Sequence, residues 1–128
     1  MKLILSLFLF FPFLLQASEE CNNIQSSVQV YTCSKKSLED SDAELNNIYK
    51  KVLLNIRKEY SLHSELKTKY INKIKSSQRA WVDFRDKNCE VFSFQIDTET
   101  QAYETSMNSC KNDMTRKRIV ELNVILEQ

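Results

Sequence analysis

Residues 26–60 read SSVQVYTCSKKSLEDSDAELNNIYKKVLLNIRKEY, and the fold turns on how that run is read. Leu38, Leu45, Ile48, Val52, Leu53, Ile56 and Tyr60 return at helical spacing, which lines them along one face of an amphipathic helix. Ser26 and Gln29 have the spacing of a capping box, in which the serine oxygen accepts a backbone N–H and the glutamine reaches back. The helix is therefore expected to start at Ser26 or Ser27 and to end near Tyr60. Nothing inside it interrupts the ladder, because the 128-residue chain has no glycine and one proline, Pro12. A chain so poor in both residues lacks the turn chemistry of hairpins, sandwiches and barrels. It also cannot build a glycine-based phosphate loop.

The remainder reads the same way. A turn over Ser61 to Ser64, with Ser64 as the cap, leads to a second helix from about Glu65 to about Phe94. Leu66, Tyr70, Ile74, Trp81, Phe84 and Phe92 form its inward stripe. The run V-F-S-F-Q-I over 91–96 alternates as a strand does, but one short strand without a partner builds no sheet. It is expected to be helix end and loop. Thr98 and Gln101 repeat the capping-box spacing and open a third helix with Tyr103, Met107, Cys110, Met114, Leu122 and Ile125 inward. Met107 and Met114, seven residues apart, have the spacing of core filling. The predicted fold class is all-α: a small disulfide-stapled bundle of about three long helices behind a short N-terminal lead-in.

Residues 1–17, MKLILSLFLFFPFLLQA, read as a signal peptide, leaving 18–128 as one helical domain. Lys2 gives the positive start, and the apolar run from Leu3 to Leu15 is shorter than the ~20 residues a membrane-spanning helix needs. Cleavage before Ser18 predicts a periplasmic or secreted protein with no stable membrane insertion. The label takes Lys2, one of the 18 basic residues, and none of the 17 acidic ones, so the mature chain carries equal numbers of each. Such a chain has no overall field with which to attract nucleic acid.

Four cysteines in an exported chain of this size imply two disulfides. A metal site is disfavoured by the lone His63 and the absence of a Cys-x-x-Cys pair, and no cofactor is expected. If the second and third helices turn near 97–100, Cys89 and Cys110 lie about ten residues from the bend on either side, facing each other. Cys21 and Cys33 cannot bond along one continuous helix, where their separation would rise ~18 Å. They can bond if residues 21–25 fold back as a lead-in. The expected bridges are Cys21–Cys33 and Cys89–Cys110.

Two blocks stand out against this frame. The first is Asp42-Ala43-Glu44-Leu45-Asn46-Asn47-Ile48-Tyr49. The second is Gln78-Arg79-Ala80-Trp81-Val82-Asp83-Phe84-Arg85-Asp86-Lys87-Asn88-Cys89, after which Cys110 is followed by Thr115, Arg118 and Leu122. Their order, with Cys21 and Cys33 ahead, resembles the lysozyme inhibitor LprI-like domain family, small exported bacterial proteins long known as a domain of unknown function. The resemblance spans essentially the whole mature chain. It implies a non-enzymatic helical envelope protein that binds another protein, with inhibition of lysozyme as the first expected activity and another envelope protein as the other expected partner. The alternative it leaves open is a structural or accessory envelope protein that binds a different partner or a cell-wall fragment.

The residues themselves point to structure more than to chemistry. Trp81 on an apolar stripe reads as a core anchor whose indole N–H finds Gln78 or a backbone carbonyl. Arg79, Arg85 and Asp86, with Asp42 and Asn46, read as polar groups that bridge helices through charge-assisted hydrogen bonds. No histidine or paired nucleophile accompanies them, so no catalytic residue is assigned and an enzyme is not expected. His63 reads as an exposed turn residue. Two acidic clusters, Glu39, Asp40 and Glu44, then Asp97, Glu99 and Glu104, are the candidate contacts for a cationic partner such as lysozyme.

Overall fold

The computed structural model describes residues 21–128, so the expected signal peptide lies outside the described residues. Three helices follow in order: α1 Ser27–Glu59, α2 Ser64–Phe92 and α3 Gln101–Leu126. They run up, down and up. α3 lies parallel to α1 and makes its most extensive packing there, while α2 runs antiparallel to both and touches α1 least. The parallel register is set by Ser34 against Asn108 and by Asp42 against Thr115. The 91–96 run is the end of α2 and the connecting loop. No helix among the described residues is long and apolar enough to cross a membrane.

The caps explain where the helices begin. Ser26 Oγ accepts from Gln29 N at 3.2 Å, while Gln29 Oε1 accepts the Gln25 N–H at 2.8 Å, one residue earlier than a standard box. α2 departs from expectation. Its cap position is His63, exposed and without a side-chain bond, and Ser64 is already helical. The third cap is Thr100, whose Oγ1 accepts from Tyr103 N, and Thr98 stays in the loop. Asp97 is the reason: its side chain accepts from Glu99 N and its carbonyl from Thr100, so the turn closes two residues later.

The interior is divided along the bundle axis. Towards the α1–α2 turn, Leu45, Val52, Leu53 and Ile56 pack with Ile74, Ile119 and Leu122. Tyr60 and Tyr70 close that end edge to face, with ring centroids 5.7 Å apart. Towards the other pole the buried positions are small or polar: Cys33, Ser41, Cys89, Ser93 and Thr115, with Arg85 between the two halves. Cys21–Cys33 and Cys89–Cys110 hold this second half, with Cα separations of 5.6 and 5.7 Å. The ties stand where apolar burial is thinnest.

This division corrects the inward stripe expected for α2. Leu66, Phe84 and Phe92 are exposed, at 55, 59 and 73 %, while Tyr70, Ile74 and Trp81 do face the core. Fixing Cys89 inward also turns inward the positions one turn away, Arg85 and Ser93. Phe84, next to Arg85, is thereby rotated out. Met107 and Met114 are half-buried, and Met114 Sδ rests 3.8 Å from Cys89 Sγ.

Two predictions follow from this division of labour. Replacing Cys89 and Cys110 together by alanine should cost ~3 kcal/mol in reversible urea unfolding, the scale of the loop entropy such a bridge removes. The second concerns Tyr31 on α1, which donates to Glu104 on α3. That bond, then the adjacent negative charge and slight burial, holds the phenol above its ordinary 10.0. A pKa raised by folding adds stability that is intact below 10.0 and is lost as the pH climbs through the folded value. Alkaline spectrophotometric titration should therefore find a late-ionising tyrosine, and Glu104→Gln should bring it back towards the ordinary value.

Candidate functional site

The two sequence blocks meet at one place. Asp42 stands on α1, Arg85 and Asp86 on α2, and Thr115 on α3, so the guanidinium of Arg85 is a junction of all three helices. Its Nη1 donates to Asp42 Oδ1 at 2.8 Å and to Thr115 Oγ1 at 3.0 Å, and its Nε donates to Asp86 Oδ1 at 3.0 Å. Lys111 of α3 adds a second cation to Asp86 at 3.4 Å. Partners for Nη1 and Nε offset much of the cost of burying this guanidinium. Its planar fork donates from two separate nitrogens, Nη1 and Nε, where a lysine would offer one ammonium at the end of a flexible stem.

Trp81 lies against this junction. It is half-buried beside the apolar core, with the guanidinium carbons of Arg85 and Arg118 at 5.3 and 5.9 Å from its ring. Both are within cation–π range. Arg118 is itself held by Gln78 Oε1 at 3.1 Å, Ser77 Oγ at 3.1 Å and Glu121 at 2.7 Å. Gln78 thus accepts from Arg118, not from the indole as the sequence suggested. Thr115 was visible in the sequence only as part of the family order, with no contact assigned to it, and Ser77 and Lys111 escaped the reading, since a lone hydroxyl or lysine on a helix carries no pattern of its own.

Beside the junction, α1 and α2 part to leave an open cleft of about 400 Å3. Asp42, Leu45, Asn46 and Tyr49 form one wall and Lys75, Gln78, Arg79 and Val82 the other, with Arg85 shared between cleft and junction. The one-turn spacings of the two blocks bring these residues to facing sides. Arg79 and Asn46 were expected to bridge helices. Both are instead exposed, and neither bonds to another side chain among the described residues. Asp83, one turn beyond Arg79, is taken by Lys87 at 2.9 Å, a bond that with its charge holds the Lys87 ammonium above its ordinary value.

The two acidic clusters lie apart. Asp40 pairs with Lys36 one turn away, and Glu39 and Glu44 are exposed on the same stretch of α1. By the α1–α3 register this stretch lies ~20 Å along the axis from the α2–α3 turn. That turn carries Asp97 and Glu99, with Glu104 just inside α3, and here the surface is unusual. Val91, Phe92 and Phe94 are 74, 73 and 85 % exposed. Directly beneath them sit the Cys89–Cys110 bridge and a 2.8 Å hydrogen bond between Ser93 and Ser106.

Residues 17–122 match the family model described as lysozyme inhibitor LprI. An uncharacterised protein of Rhizobium meliloti (strain 1021) is 26 % identical over 115 residues, 88 % of this chain and 82 % of that protein. The crystal structure of a DUF1311 family protein from Pseudomonas putida KT2440 superposes with a TM-score of 0.72 at 21 % identity, covering 83 % of this chain and 99 % of that one. At that identity the likeness is one of fold.

The junction makes a quantitative prediction. Arg85→Lys should destabilise the chain by about 2 kcal/mol in urea unfolding, below the usual range for breaking a buried pair because the Asp42 side chain keeps 40 % exposure. The same change should shift the Trp81 fluorescence spectrum, since one of its two cations moves.

Proposed function

This chain belongs to the lysozyme inhibitor LprI family, and on that premise we propose that it is an exported, disulfide-stapled domain that blocks a lysozyme by binding it. The apolar run over residues 3–15 and the two disulfides support export into an oxidising compartment. Inhibition of this kind needs no chemistry from the chain, only a rigid surface that fills the enzyme's cleft.

The observation that carries the reading is the pole formed by the α2–α3 turn. Phe92 and Phe94 project on a segment tied at its base by Cys89–Cys110, and Asp97, Glu99 and Glu104 stand beside them. Large apolar side chains kept in water on a pre-ordered segment suit a binding surface, because little further conformational entropy is lost on docking. Aromatic anchors with a polar rim are the usual anatomy of an interface hot spot. The acidic rim complements a cationic enzyme and favours encounter at low salt. The cluster at Glu39, Asp40 and Glu44 lacks such anchors, and Asp40 is neutralised by Lys36.

The test is a bacterial-cell lysis assay with purified, oxidised chain starting at Ser18. Protection by the wild type is expected, and the exposed-site variant F92S/F94S should need about tenfold more protein for the same protection, with an unchanged melting temperature. Absence of protection at a large molar excess of the wild type would remove the lysozyme reading.

A further inference from the structure

Independently of any lysozyme, we propose that the cleft between α1 and α2 is a second binding site, which takes a short acidic peptide segment through its carboxylates. Lys75 and Arg79 stand one turn apart on one wall, and Arg85 lies at the junction below. Among the described residues, neither Lys75 nor Arg79 has an acidic partner. Like charges one turn apart weaken a helix slightly, so this pair is a local cost that a bound anion would relieve. The one carboxylate in the cleft, Asp42, is committed to Arg85. Asp83, the nearest acid along α2, is committed to Lys87.

The remaining groups are rich in donors. Gln78 spends its oxygen on Arg118 and keeps its amide N–H groups. Arg85 lines the cleft, and its Nη2 bonds to no described residue. Asn46 and Tyr49 face these groups across the cleft and can serve a peptide backbone as donor or acceptor. Guanidinium groups match the planar geometry of a carboxylate. Leu45 and Val82 give the walls an apolar strip on which aliphatic side chains can lie. The volume of about 400 Å3 suits a few residues of extended chain rather than a folded surface. A nucleic acid is disfavoured because the mature chain has no net positive charge to hold a phosphate backbone.

The experiment uses the oxidised chain from Ser18, labelled for amide NMR, with Trp81 fluorescence as a second readout. The probe is the tetrapeptide acetyl-Ala-Glu-Ala-Glu, compared with acetyl-Ala-Gln-Ala-Gln-amide and with inorganic phosphate. Saturable shifts confined to the two cleft walls are expected with the acidic peptide, weaker by about tenfold in K75Q/R79Q, whose exposed sites leave the melting temperature unchanged. Equal binding of the neutral peptide, or no response at millimolar acidic peptide, would overturn the proposal. An equal response to phosphate would mark a general anion trap and overturn the peptide assignment. None of these readouts involves lysozyme, so failure here and failure of the inhibitory reading are separable.

Discussion

The guanidinium of Arg85 is the point on which the arrangement of the three helices depends. It sits where the apolar half of the bundle gives way to the half lined by cysteines, serines and a threonine. Greasy side chains are tolerant of sliding, since burial is nearly indifferent to register. Hydrogen bonds to Asp42, Asp86 and Thr115 are not, because each requires an oxygen within a fraction of an ångström of its place. One buried cation therefore fixes how α1, α2 and α3 stand relative to one another. Trp81 and Arg118 extend that fixing sideways into the core.

From this junction the molecule divides into parts with different duties. One end is held by apolar packing closed by the Tyr60–Tyr70 pair, the other by covalent ties and hydroxyl contacts. The tied end can afford exposed aromatics, because its rigidity does not depend on burying them. The separation of α1 from α2 follows from the same geometry: both lean on α3, and a cleft remains between them. Two surfaces of different chemistry result, an aromatic pole with acids beside it and a basic cleft at mid-bundle.

Much of the fold was legible in the chain. The missing glycine, the apolar stripe of α1 and the equal spacing of Cys89 and Cys110 about a turn led to three helices and to the bridges the structure contains. The stripe of α2 was misread where hydropathy was the guide. Phe84 and Phe92 looked like core because they are large and apolar, yet the disulfide commits Cys89 inward and carries Arg85 and Ser93 with it. The signal was present in the cysteine, one turn from each. The cap at Thr98 failed for a related reason: Asp97 organises the turn by its own hydrogen bonds, and spacing alone does not report that.

The sequence by itself determined the class of fold and the helix limits to within a few residues, since these follow from local backbone preference and periodicity, and it made the covalent pairing readable once a bend near 97–100 and a folded-back lead-in were assumed. Only the tertiary structure decided what the two blocks of polar residues do: Arg85 turns into the bundle and reaches the cleft only from its floor, whereas Arg79, six positions earlier, stands exposed on the cleft wall. Helical periodicity places residues on faces, but which face meets protein and which meets water is set by how three helices share one narrow core.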